Sequence, residues 1–125
     1  MPYIFENAET LVGKPPVGNK QCVALVKQFA KAPASSLWSE GIKVKGASLK
    51  PGTAIATFVH GKYPNLPSGN HAAFYLSQDA QGIWVVDQWT RSKTIRKRHL
   101  RFLGSNKDNS YNDRSNNGDA FSVIE

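Results

Sequence analysis

The sequence predicts one α+β domain over residues 1–125, with N-terminal helices packed on an antiparallel β-sheet. Three observations point there. A chain of 125 residues, 40% apolar and 20% charged, suits one compact core. The clearest 3.6-residue apolar stripe lies in the first third of the chain. From Thr53 onward, short apolar runs alternate with turn residues, as in strands joined by hairpins. No internal repeat or linker divides the chain.

In chain order, Pro2–Leu11 reads as a short helix with Phe5, Ala8 and Leu11 on one face. Gly13–Gly18, with two prolines, is a loop. The main helix runs from about Lys20 to Lys31, because Cys22, Leu25, Val26, Phe29 and Ala30 fall at i, i+3, i+4, i+7 and i+8. Asn19 is placed to cap it and Pro33 to stop it. Ser36–Trp38 is a helical turn or loop, and Lys50-Pro51-Gly52 a turn. Strands follow at Thr53–Phe58, His71–Ser77, Ile83–Trp89, Thr94–Phe102 and Ala120–Ile124. A Pro-, Gly- and Asn-rich loop spans Gly61–Asn70, a turn spans Gln78–Gly82, and the polar stretch Ser105–Asp119 reads as a long exposed loop.

Bulk properties exclude several classes. The longest apolar runs, such as Ile83–Val86, are too short to span a bilayer, so no membrane role is expected. The N-terminus lacks a basic start followed by an apolar stretch. The expectation is a protein made in the cytoplasm without a signal peptide, any export using another route. One cysteine rules out an intramolecular disulfide and a multi-cysteine zinc site. No metal or cofactor is expected; Asp108, Asp113 and Asp119 do not have the spacing of an EF-hand. The formal charge is +7 and the pI 9.7, which attracts polyanions without choosing among nucleic acid, anionic lipid and cell wall. Six of the 16 basic residues lie between Arg91 and Arg101. They read either as an edge strand protected by charge or as a docking patch for an anionic polymer or acidic partner.

The chemistry concentrates on Cys22. In the first turn of a helix, the positive end of the macrodipole and nearby Lys20 favour the thiolate, and the Cys22 N–H can serve an oxyanion. The opposing reading packs Cys22 inward with Leu25 and Val26. His71, His60 and His99 are candidate bases; His71 heads a strand after the Gly69-Asn70 turn. His71 and Asp87 are separated by an even number of residues, 87 − 71 = 16. In an in-register hairpin turning near Asp79 they share a face, directly opposed, with Cβ atoms about 4.5–5.5 Å apart. Asp87 interrupts the apolar run Ile83–Val86, where an unpaired carboxylate is costly. Trp38, Trp84 and Trp89 belong either to the core or to a cleft lining.

These segments carry a family resemblance. GNKQCVALV resembles the nucleophile segment of NlpC/P60–CHAP papain-like cysteine amidases, GNHAAFYL their histidine motif, and IWVVDQW the strand bearing the residue that orients the histidine. The order agrees, and the likeness spans roughly Gly18–Trp89. The chain departs from the family pattern at Asn70, commonly Gly; at Asp87, commonly Glu, Asn or His; and at Trp89, often Asn in CHAP members. The resemblance implies a papain-like fold and a cysteine peptidase or amidase with Cys22 as nucleophile, His71 as base and then acid, and Asp87 as orienter. It further implies Gln21 at the oxyanion site or cleft, with Asn70 and Trp89 on the substrate side. The implied substrate is a peptidoglycan stem peptide or cross-link.

The small size looks like the type VI secretion amidase effectors. That likeness implies export through secretion tube or spike components, action in the periplasm of a target bacterium, and a cognate immunity protein. A phage or autolysin-type CHAP lytic domain shares the motifs. Two other classes compete: a non-catalytic basic module for nucleic acid or cell wall, and a structural or immunity-type protein with Cys22 in its core. No RNA-binding motif or basic recognition helix is visible, so no nucleic-acid partner is expected.

Overall fold

The structure, a computed structural model, describes residues 2–125. It is built on one six-stranded antiparallel sheet: β1 (Glu40–Lys43), β2 (Ala54–Thr57), β3 (Ala72–Gln78), β4 (Gly82–Asp87), β5 (Arg96–Arg101) and β6 (Phe121–Ile124), in the order β1-β6-β2-β3-β4-β5. The single α-helix among the described residues, α1 (Cys22–Ala30), lies on one face against β3. There Leu25 and Val26 meet Phe74, Val86 and the small residues Ala54, Ala56 and Ala72, all fully buried. Alanines on three neighbouring strand positions let the helix approach the sheet closely, and burial of this apolar layer holds it there. The other face buries Ile55, Ala73, Tyr75, Ile83, Val85, Leu100 and Phe121 beneath Val44, Leu49 and Phe102. Strands buried on both faces explain runs such as Ala54–Thr57 that lack polar alternation.

The α+β class and the antiparallel sheet agree with the sequence expectation; several details do not. The N-terminal segment is mostly extended, because Ile4 bridges Thr53 and Tyr3 O accepts the Ala54 amide, leaving only a 3-10 turn at Ala8–Leu11. Helical content is therefore one α-helix and short 3-10 turns, fewer helices than expected. The main helix starts at Cys22 because Lys20 is left-handed, with φ of 69°. Asn19 does not cap it; the N-cap is Gln21, and the Asn19 carboxamide oxygen accepts the Gln21 amide hydrogen. Edge strand β1 was missed: its four residues are too short for a periodic signal, and pairing with β6 makes it a strand. The 105–119 stretch is not a free loop. Buried Asn117 donates to Gly104 O and Asn112 O and accepts from the Leu103 and Asp119 amides, pinning the stretch to the sheet.

The β3–β4 hairpin turns at Asp79, whose carboxylate accepts the Gln81 and Gly82 amides. A register shift between Tyr75 and Ser77 separates the pairs Phe74↔Val86 and Ser77↔Trp84. Continuing the register of the pairs away from the turn, Phe74↔Val86 and Tyr75↔Val85, sets Asp87 opposite Ala73, with His71 two residues further on. His71 and Asp87 share a face, as expected, but diagonally rather than directly opposed.

Gly52 closes the N-terminal segment onto the sheet. Its φ is +93°, and a Cβ there would lie 2.1 Å from Phe5 O. Its carbonyl accepts the Phe5 amide at 2.9 Å and its amide donates to Tyr75 O at 2.6 Å. Gly52→Ala is expected to cost about 2–4 kcal/mol in urea unfolding, from the left-handed backbone and the clash together; a change below about 0.5 kcal/mol contradicts that.

Candidate active site

Cys22 is the first residue of α1, and the backbone ahead of it is tightly held. Lys20 N–H donates to Val17 O, and Gln21, the N-cap, has no side-chain capping bond. Fully buried Gln88 clamps this approach from the end of β4. Its carboxamide accepts the Val17 amide at 2.9 Å and donates to Val17 O and Gln21 O at 3.1 and 2.8 Å. The nucleophile candidate is thus fixed to the residue after Asp87, so helix and sheet hold the two halves of the site in register.

His71 extends β3 by one residue: its amide donates to Thr57 Oγ1 and its carbonyl accepts the Thr57 amide. Its ring is buried, edge-on to Phe121. His71 Nε2 donates to Asp87 Oδ2 at 2.7 Å. Asp87 is fully buried and is also gripped by Arg98, whose Nε and Nη2 donate at 2.6–3.1 Å. Burial alone pushes the Asp87 carboxyl up, but the bonds to His71 and Arg98 outweigh it and hold the group ionised below the usual carboxylate range. An ionised carboxylate only accepts, so the Nε2 proton is assigned by chemistry and Nδ1 is left for the thiol.

The thiol and imidazole bias one another. Burial raises the Cys22 pKa, yet hydrogen bonding and Coulombic attraction to His71, with smaller help from Tyr63 and the Ala72 amide, bring it below the ordinary thiol value. For His71, burial disfavours the charged ring, while the Asp87 hydrogen bond and then Cys22 raise its pKa to about 9. Both shifts run toward a thiolate–imidazolium pair, the form in which a cysteine is nucleophilic.

The pair lies in a cleft of 520 Å³ lined by Gln21, Cys22, Tyr63, Leu66, Asn70, His71 and Trp89, among others. Gln21, Cys22, Asn70, His71 and Trp89 thus border one cleft, and fully buried Asp87 lies behind His71. Trp38 is core, packed edge-on to Tyr63, whereas Trp89 lines the cleft beneath the Arg96 and Arg98 guanidiniums. His60 and His99 are not in this cleft. Cys22 is half-buried at the rim of the core rather than sealed within it.

Sequence reasoning missed Tyr63, Gln88 and Arg98. Gln88 carried a weak signal, a second polar residue continuing the break that Asp87 makes in an apolar strand. Arg98 was hidden among the basic run. In the structure that run divides: Arg98 is spent on Asp87, Lys97 pairs with Glu9 at 2.7 Å and His99 with Asp79 at 3.3 Å. Arg91, Lys93, Arg96 and Arg101 remain exposed on or beside the edge strand. Among the described residues, no group of three His, Cys, Asp or Glu side chains converges on an ion position, and no helix is long and apolar enough to cross a membrane.

Comparison with known proteins agrees with this architecture. Residues 3–124 match the family described as Domesticated amidase effector 2. A Salmonella typhi "Type VI secretion amidase effector 2 protein" is 43% identical over 133 aligned residues, covering 100% of both chains. The Ixodes scapularis "Domesticated amidase effector 2" is 37% identical over 114 residues, 87% of this chain and 73% of that one. A solved structure titled "Type 6 secretion amidase effector 2 (Tae2)" superposes with a TM-score of 0.93 at 42% identity, covering 98% of this chain and 94% of the other. The chain therefore belongs to the Domesticated amidase effector 2 family, together with type VI secretion amidase effectors.

Proposed function

We propose that this amidase effector is a papain-like cysteine amidase that hydrolyses an amide bond in peptidoglycan stem peptides or cross-links, using Cys22, His71 and Asp87. One observation carries the reading: a half-buried thiol at a helix start and a buried imidazole fixed 2.7 Å from a buried carboxylate meet in a single cleft. The Cys22 proton rests on His71 Nδ1. The thiolate attacks the amide carbonyl, and the C–N bond breaks as His71 gives its proton to the leaving amine. Water, deprotonated by His71, then cleaves the thioester and restores the thiol. Gln21 borders the cleft, where it shapes the acyl side; Asn70 and Trp89 border the substrate path.

Type VI delivery fits the family. It puts the protein in the periplasm of a target cell and calls for a cognate immunity protein that blocks the cleft. The exposed cations beside Trp89 suit an acidic wall polymer.

Digestion of purified peptidoglycan followed by mass analysis tests the proposal. Cys22→Ala should lower product formation by at least about 10³-fold without changing the thermal midpoint by more than a few degrees; equal products from both proteins overturn it. The pH profile of kcat/KM should fall at high pH with a midpoint near 9, as His71 loses its proton. Because the His71 pKa is raised above its ordinary 6.5, the stability its charge provides is complete below that value and is lost as pH climbs through about 9. Asp87→Asn should move the falling limb down by about one unit or more and lower kcat by about 10²–10⁴-fold. Arg98→Met, leaving Asp87 with one partner, should cost about 3 kcal/mol in denaturant unfolding; an unchanged midpoint contradicts the burial argument.

A further inference from the structure

We propose that Tyr63 is a fourth catalytic residue, its phenolic O–H donating a hydrogen bond to the Cys22 sulfur and oriented for that task by Asn70. The inference rests on the acyl-transfer reading above and adds a donor that the Cys–His–Asp set does not contain.

Direction follows from chemistry. Leu66 N–H donates to Asn70 Oδ1 at 2.5 Å, which fixes the carboxamide so that its NH₂ points the other way. Asn70 Nδ2, able only to donate, reaches Tyr63 Oη at 3.2 Å. The phenol oxygen is therefore an acceptor on that side, and its own proton is free for Cys22 Sγ, 3.7 Å away. A thiolate only accepts, so the ionised state of Cys22 completes the chain from Leu66 through Asn70 and Tyr63 to sulfur. Tyr63 is itself buried, and its ring is braced at 5.1 Å edge-on against Trp38, so the hydroxyl cannot swing away cheaply. Burial, with the neighbouring sulfur, keeps the phenol protonated far into alkaline pH.

The arrangement gives the two halves of the cleft different tasks. His71 takes and returns the thiol proton. Tyr63 transfers none; it stabilises negative charge on sulfur, both before attack and when the thioester carbon expels sulfur at the end of the cycle. Asn70 acts through Tyr63 and is a positioning residue.

The test is the pH dependence of Cys22 alkylation by iodoacetamide, alongside kcat and KM on peptidoglycan fragments. Tyr63→Phe keeps the ring against Trp38, so folding is retained; the near-ultraviolet spectrum and thermal midpoint check this. The expected result is a thiol pKa raised by about one unit and kcat reduced about 10-fold, with KM within about two-fold. Asn70→Ala should shift the thiol pKa in the same direction, and its effect should vanish in the Tyr63→Phe background. A Tyr63→Phe protein with unmoved thiol pKa and unmoved kcat overturns the inference and leaves the Cys22–His71 reading intact. Additive effects of the two substitutions overturn the orienting role of Asn70. Full hydrolysis by Cys22→Ala instead removes the acyl-transfer reading itself.

Discussion

A carboxylate with no access to water is the constraint around which the protein is organised. Burying an ionised Asp87 costs several kcal/mol unless its oxygens are filled by donors. Arg98 fills most of that capacity from β5 and His71 fills the rest from the end of β3. Each partner is thereby fixed as well: the guanidinium carbon sits over the Trp89 ring, 4.7 Å from its centroid, and the imidazole has one nitrogen committed and one facing the thiol. Low dielectric raises the stakes in both directions, since a half-filled network is worse than an apolar core. Strands β3, β4 and β5 must be in register for the network to close, which ties the candidate site to the integrity of the sheet.

The thiol arrives from a different layer. α1 packs on the opposite face of the sheet from Tyr75 and Phe121, yet its first residue reaches over the strand ends to His71. Gln88 makes this possible by bonding the 17–21 approach to the residue that follows Asp87. The left-handed Lys20 supplies the sharp turn into the helix. Strain of this sort is held in place by surrounding bonds. The proposed chemistry at sulfur therefore depends on backbone held by a buried amide, on charge held by a buried ion pair, and on a cleft whose other wall is the 63–70 loop.

What the sequence disclosed, and what it withheld, follows from the range of the interactions involved. The helix and most strands were visible because periodicity is local: Cys22, Leu25, Val26 and Phe29 mark one face, and Ile83–Val86 marks a strand buried on both. Parity along a strand is equally local, but the shared face of His71 and Asp87 also needs the one-residue register shift between Tyr75 and Ser77: the turn-proximal pairs Ser77↔Trp84 and Gln78↔Ile83 carried outward would put the two side chains on opposite faces. Their diagonal offset was not legible either, because the hairpin closes between Ala80 and Gln81, with the Asp79 amide on Gly82 O, rather than about Asp79 itself. Phe5, Ala8 and Leu11 have helical spacing, yet pairing of Ile4 with Thr53 overrides it. Edge strand β1 is likewise created by its partner. Arg98, Gln88 and Tyr63 act across 11, 67 to 71 and 41 residues of chain, separations at which side-chain contact is invisible without topology.

The charge that Asp87 holds beside Cys22 can be read directly on one ring. Nitrogen NMR of the His71 imidazole at neutral pH should show both ring nitrogens protonated, with the transition to the neutral ring centred near 9. A ring that is neutral at pH 7 and titrates near the ordinary 6.5 would contradict it, because Asp87 would then not be holding a cation beside Cys22.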